Sequence, residues 1–84
     1  MKTIRPILYI KGGCPWCVEA EAFLRKHGIA YDVIDVRQDR AGFDRMLEIS
    51  GQTLAPTMDW SGEILADFGE RELAAFLKQR GVIK

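Results

Sequence analysis

Both cysteines of the 84-residue chain fall in one tetrapeptide, Cys14-Pro15-Trp16-Cys17. This spacing carries redox chemistry when a helix begins at the first cysteine. At a helix start the unpaired backbone N–H groups and the positive end of the dipole favour a thiolate over a thiol. Cys14 is therefore the expected nucleophile. Cys17, one turn further in, is placed to attack a mixed disulfide formed on Cys14, which makes it the expected resolving thiol. Lys11, three residues before Cys14, adds positive charge near the sulfur. Pro15 suits a first turn, because its φ is already helical and its missing N–H is one that a helix start does not need. Three other uses of the pair compete. A zinc site takes four ligands as a rule, and two cysteines with His27 fall short of that in a monomer, so no metal is assigned. A structural disulfide closing so short a loop would constrain little chain. Two inert buried thiols would leave the helix-start position without a reason.

The surrounding sequence has to build that helix start. Ile4 to Ile10 is an apolar, branched run ended by Lys11-Gly12-Gly13, the pattern of a central strand buried on both faces. Pro15 opens a helix to about His27, with Ala20, Phe23, Leu24 and His27 at helical spacing and Gly28 as the stop. Its acidic residues Glu19 and Glu21 come early and its basic residues Arg25, Lys26 and His27 late, which suits the dipole. Tyr31 to Val36 reads as a second strand, parallel to the first because a helix joins them. Asp39 is a plausible cap for a second helix with Phe43, Met46, Leu47 and Ser50 on one face, ended by Gly51. After a loop from Gln52 to Ala55, Pro56 to Trp60 and Glu63 to Ala66 form a hairpin about Ser61-Gly62. Asp67 and Glu70 have the spacing of a capping box for a last helix with the stripe Leu73, Ala74, Phe76 and Leu77, ended by Gly81. Asp59, inside an apolar strand, is expected on a solvated face. The order is βαβαββα, an α/β fold in which a four-stranded mixed sheet is flanked by three helices, in one domain spanning 1–84.

Composition excludes other classes. Lys and Arg total 12, as do Asp and Glu, so the chain lacks the positive field that collects phosphates, and nucleic acid is not the expected partner. Its apolar runs fall far short of the roughly 20 residues needed to span a bilayer. Residues 1–5, Met-Lys-Thr-Ile-Arg, hold no apolar signal core, which leads us to expect a cytoplasmic chain in a reducing compartment. No apolar stripe is left over, and a monomer is expected.

Lys11-Gly12-Gly13-Cys14-Pro15-Trp16-Cys17 resembles the Lys-x-x-Cys-Pro-Tyr-Cys motif of the glutaredoxins, with Trp for the usual Tyr. Gly51-Gln52-Thr53-Leu54-Ala55-Pro56 resembles that family's loop ending in a cis-proline. Over nearly its whole length the chain is similar to a glutaredoxin of the thioredoxin superfamily. The resemblance implies that Pro56 is cis and sits beside Cys14, and that the backbone of Ala55 pairs with an incoming thiol peptide. It implies a substrate or glutathione face made of Lys11, Trp16, Ala55, Pro56, Asp67 and Phe68. There Trp16 forms an aromatic wall, Asp67 holds the ligand's amino group and the Phe68 amide meets its carboxylate at a helix start. A helix cap is the other reading of Asp67. Two stretches depart from the family pattern: Leu54-Ala55-Pro56 stands for Thr-Val-Pro, and Ala66-Asp67-Phe68-Gly69 for a Gly-Gly pair followed by a small residue and Asp.

The function implied is a thiol–disulfide oxidoreductase acting on protein disulfides or glutathione mixed disulfides. Glutathione would be its reductant and co-substrate, recharged by glutathione reductase, and no cofactor would be permanently bound. Two alternatives are an electron donor recharged by thioredoxin reductase, which the altered loops favour, and a module sharing an iron–sulfur cluster between two subunits, which Pro15 disfavours.

Overall fold

The apolar run before Lys11 becomes the strand on which the molecule is built. In the computed structural model, which describes residues 5–83, β1 (Ile7–Ile10) runs into α1 (Pro15–Lys26). Then come β2 (Asp32–Asp35), α2 (Arg40–Ser50), β3 (Thr57–Trp60), β4 (Glu63–Ala66) and α3 (Glu70–Gln79). The expected architecture of four strands and three helices is the one observed. The strand order is β2-β1-β3-β4. β1 pairs with β2 in parallel, Leu8 opposite Val33, and with β3 antiparallel, Leu8 opposite Met58. The hairpin sets Met58 against Leu65.

The strands are shorter than the apolar runs suggest. β1 begins at Ile7, and the Ile4 start expected from the sequence lies outside the described residues; Pro6 has no N–H for the ladder, although its carbonyl still accepts from Asp32 at 2.9 Å. β3 likewise begins after Pro56.

Side chains of a strand alternate between faces, so β1 feeds two cores. Leu8 joins Ala20 and Leu24 of α1, Met58, Phe68, and Leu73 and Leu77 of α3. On the opposite face Tyr9 packs with Val36 and Met46, flanked by Ile7, Ile34, Phe43 and Ile49. Full burial of each such aliphatic side chain contributes about 1.5–3 kcal/mol, which makes the central strand the least replaceable element.

The helix ends show which local signals hold. Asp39 caps α2 as expected, its Oδ1 accepting from the Gly42 N–H at 2.9 Å. Arg25 and Lys26 occupy the last turn of α1, but its first turn holds no acidic residue, because Glu19 and Glu21 lie deeper in the helix. His27 is exposed and stacks on Phe23 with ring centroids 4.4 Å apart.

Three expectations are corrected. Leu47 does not share the buried face of α2 and is exposed, while Gly42 and Met46 are buried. Asp67 and Glu70 do not form a capping box, since α3 begins at Glu70 with Gly69 as its N-cap. There the Glu72 Oε1 accepts from the Gly69 N–H at 2.8 Å. The reason is long-range: the Asp67 N–H donates to the Pro56 carbonyl at 3.0 Å, carrying the hairpin one residue further. The chain then turns through Asp67 at φ 50 and buries Phe68 before any helix starts. Asp59, last, is half-buried on the α2 face, where its Oδ1 accepts from the Gly62 N–H at 2.9 Å and supports the hairpin turn.

Gly42 is where α2 approaches the sheet most tightly, since a Cβ there would stand 2.4 Å from Cγ2 of Ile34. That methyl sits on a β-branched strand residue and has little room to move. In an exposed helix, Gly→Ala stabilises by up to about 1 kcal/mol. At this position the sign should reverse, with Gly42→Ala losing about 1–2 kcal/mol in urea denaturation as α2 is pushed off Ile34. A stabilised variant would show that α2 has slack.

Candidate functional site

The register gathers the candidate residues at one end of the sheet. Tyr9 near the end of β1 lies opposite Thr57 at the start of β3, which lies opposite Ala66 at the end of β4. The segments 11–14, 53–56 and 67–69 therefore leave from the same end. Lys11, Cys14, Ala55, Pro56, Asp67 and Phe68 all belong to them, and Trp16 is in the first turn of α1.

The step from β1 to α1 is a tight turn. The Cys14 N–H donates to the Lys11 carbonyl at 3.1 Å, and Gly13 occupies the third position with φ 82, a conformation that L side chains rarely adopt. Gly12 is close-packed, since a Cβ there would lie 3.1 Å from Asp35 Oδ2 and the carboxylate would have to shift slightly. Cys14 is then the N-cap of α1, with extended backbone. The Cys17 N–H donates to Cys14 Sγ at 3.3 Å. A sulfur here does the work usually given to a Ser or Asp oxygen, so charge developing on it meets a donor already in place.

The two thiols are free and differ in environment. Cys14 is half-buried, whereas Cys17 is only 2% exposed. Burial pushes the Cys17 thiol up to about 12; the hydrogen bond with Cys14 and the charges of Cys14 and Glu21 push the same way, and a backbone hydrogen bond at Lys11 opposes them. At neutral pH Cys17 is thus held as a thiol beneath the accessible Cys14. Glu21 is itself fixed by the Tyr31 hydroxyl, which donates to its Oε1 at 2.8 Å.

Around the dithiol, Trp16 is 57% exposed on the first turn of α1. The Ala55–Pro56 bond is cis, as the resemblance implies. Asp67 is exposed and meets the same loop through its N–H bond to Pro56. The Phe68 side chain is in the core, and its amide is two residues ahead of α3, not at a helix start. Gln52 lies in the 51–56 loop with no role there expected from the sequence, yet its amide nitrogen shares its two hydrogens among Ser50 Oγ, the Leu54 carbonyl and Thr57 Oγ1, at 3.1, 3.2 and 3.1 Å. A polar residue between a helix stop and a Pro-initiated strand was the one available signal, and it is a weak one. A cavity of about 370 Å³ lined by Glu63, Phe76, Gln79 and Arg80 lies by the start of β4, remote from Cys14. Among the described residues no cluster of His, Cys, Asp and Glu is placed to hold a metal ion, and no helix is long and apolar enough to cross a membrane.

The sequence model of the glutaredoxin family matches residues 7–64. The crystal structure of the thioredoxin-like protein BC3987 superposes with a TM-score of 0.79 at 32% identity, over 87% of this chain and 100% of that one. An uncharacterized glutaredoxin-like 8.6 kDa protein in the rubredoxin operon of Clostridium pasteurianum is 24% identical over 86% of this chain and 96% of its own. The buckwheat glutaredoxin–glutathione complex shares the fold with a TM-score of 0.69 at 18% identity, over 94% of this chain and 72% of that one.

The raised Cys17 has a thermodynamic signature. Above the ordinary thiol range, near pH 9, the unfolded chain releases a proton that the folded chain keeps until about 12. The unfolded state then binds fewer protons, so stability falls as pH rises through this window. Reduced protein should lose stability between pH 9 and 12 more steeply than Cys17→Ala in paired denaturant titrations. Tyr9 and Tyr31, both also pushed up by burial, are common to the two proteins and cancel in the difference. Parallel curves would place Cys17 in contact with water.

Proposed function

The chain belongs to the glutaredoxin family, and from that membership we propose a dithiol oxidoreductase in which Cys14 is the nucleophile and Cys17 the resolving thiol. The observation that carries the assignment of roles is the asymmetry of the pair. One sulfur is accessible, at a helix N-terminus, and accepts an N–H; the other is buried one turn below it and protonated.

The Cys14 thiolate attacks one sulfur of a substrate disulfide, forming a mixed disulfide and expelling the first product thiolate, which takes a proton from water. Cys17 then loses its proton and attacks the Cys14 sulfur, closing the Cys14–Cys17 disulfide and expelling the second thiolate. Two electrons leave the protein and two thiols leave the substrate. Held protonated, Cys17 does not compete for the incoming disulfide, and it acts once the first thiolate is spent. Lys11, Trp16, Ala55, Pro56 and Asp67 are proposed as the face that receives the substrate, to which Phe68, its side chain in the core, contributes only backbone.

Glutathione is the reductant proposed to return the disulfide to the dithiol. The buckwheat complex, a glutaredoxin of the same fold holding glutathione, supports that reading. One observation argues against glutathione and so keeps recharging by a thioredoxin reductase as the second reading. The first turn of α3 carries Glu70 and Glu72, and Glu72 already takes the Gly69 N–H. With two negative charges in its first turn and the Gly69 N–H already taken, this helix start is a poor receiver for the carboxylate of glutathione.

Cys14→Ser should abolish reduction of disulfides, and Cys17→Ser should accumulate a mixed disulfide visible by mass spectrometry. Full turnover by Cys14→Ser would refute the order of attack. NADPH consumption by the oxidised protein separates the electron sources. Turnover with glutathione and glutathione reductase alone establishes the first, and turnover with thioredoxin reductase alone establishes the second.

A further inference from the structure

We infer that Gln52 is a positioning residue for peptide substrates: its side chain occupies the backbone groups of Leu54 and so leaves those of Ala55 as the docking edge. The inference rests on the function proposed above and names what shapes its substrate face.

The hydrogen bonds of residues 54–56 are unevenly shared. The Leu54 N–H donates to Gln52 Oε1, and the Leu54 carbonyl accepts from Gln52 Nε2 at 3.2 Å and from Thr57 Oγ1 at 2.9 Å. The Pro56 carbonyl accepts from the Asp67 N–H at 3.0 Å. Between them, the N–H and C=O of Ala55 have no intramolecular partner among the described residues. One amide side chain thus copies what a neighbouring strand would do, taking a donor and an acceptor from the same residue. It is tied down in turn to Ser50 Oγ at the end of α2 and to the buried Thr57 Oγ1.

Ala55 is half-buried and Leu54 beside it is 51% exposed, so the unclaimed pair lies where an extended peptide can reach it. Backbone pairing gives affinity that depends little on side-chain identity, and it is available only to a ligand with peptide groups. Without Gln52 the Leu54 groups compete for the same ligand or for water, and the loop loses its fixed spacing to Thr57. The cost should therefore fall on peptide binding and spare the thiol chemistry.

The test uses reduced protein in single turnover, so that no recharging partner enters. Wild type, Gln52→Met and Gln52→Glu are mixed with a synthetic peptide closed by one disulfide, or with bis(2-hydroxyethyl) disulfide, which has no peptide groups. Acid-quenched samples are resolved by chromatography. With Gln52→Met the half-saturating peptide concentration should rise about tenfold at an unchanged limiting rate, as expected for one or two lost hydrogen bonds. The rate with the small disulfide should stay within about twofold. Gln52→Glu keeps the acceptor for the Leu54 N–H and should fall between. Equal losses on both oxidants, a lower limiting rate or unchanged peptide binding would overturn the inference. If Gln52→Met does not fold, Gln52→Glu decides by the same criteria, and if neither folds Gln52 is structural and the inference falls. A wild-type protein inert to both disulfides would instead remove the oxidoreductase reading itself.

Discussion

A single hydrogen bond, from the Cys17 N–H to the Cys14 sulfur, joins the stability of α1 to the chemistry of the site. A helix start leaves donors that need an acceptor, and elsewhere in the molecule a carboxylate supplies it, Asp39 for α2 and Glu72 for α3. At α1 the acceptor is the reactive sulfur, and no acidic residue in the first turn competes for the donor. Whatever holds α1 in place therefore also holds the nucleophile, and that is mainly the packing of Ala20 and Leu24 with Leu8 and with Leu73 and Leu77 of α3.

β1 converts that local arrangement into a site. Being central, it sends side chains to both cores and fixes both neighbours in register. The parallel bond from the Val36 N–H to the Ile10 carbonyl, at 2.9 Å, brings the end of β2 alongside its own end. The antiparallel partner β3 starts at that same end, which is why a loop about 40 residues further along the chain leaves from the end of the sheet that carries the dithiol. With only two thin cores, the fold gains this convergence from sheet order and not from size.

The elements and most of their ends are legible in the sequence because their signals are local: Pro15 and Cys14 at one helix start, Asp39 at another, Gly51 and Gly28 at stops, Ser61-Gly62 at the hairpin. The misplaced details all depend on distant contacts. Leu47 shares a period with Met46, yet the close approach of Gly42 to Ile34 rotates it outward. Asp67 has the spacing of a cap, yet its N–H is committed across the hairpin to Pro56. Of the site, the dithiol and the proline loop can be read from spacing and resemblance. The role of Gln52 within that loop cannot, since its side-chain bonds to Leu54 and Thr57 follow no period of helix or strand.

The two tryptophans sit at opposite ends of the molecule, in unlike surroundings. Trp16 stands between the two thiols in sequence and is open to solvent, whereas Trp60 lies beneath the Arg80 guanidinium, 4.9 Å from its ring centroid, where Arg80 also pairs with Glu63. Only Trp16 neighbours the sulfurs in sequence, while Trp60 keeps its own cation beside it at the far end of β3. Oxidation of the dithiol is therefore expected to alter the emission of Trp16 and to leave that of Trp60 as an internal reference, without any label.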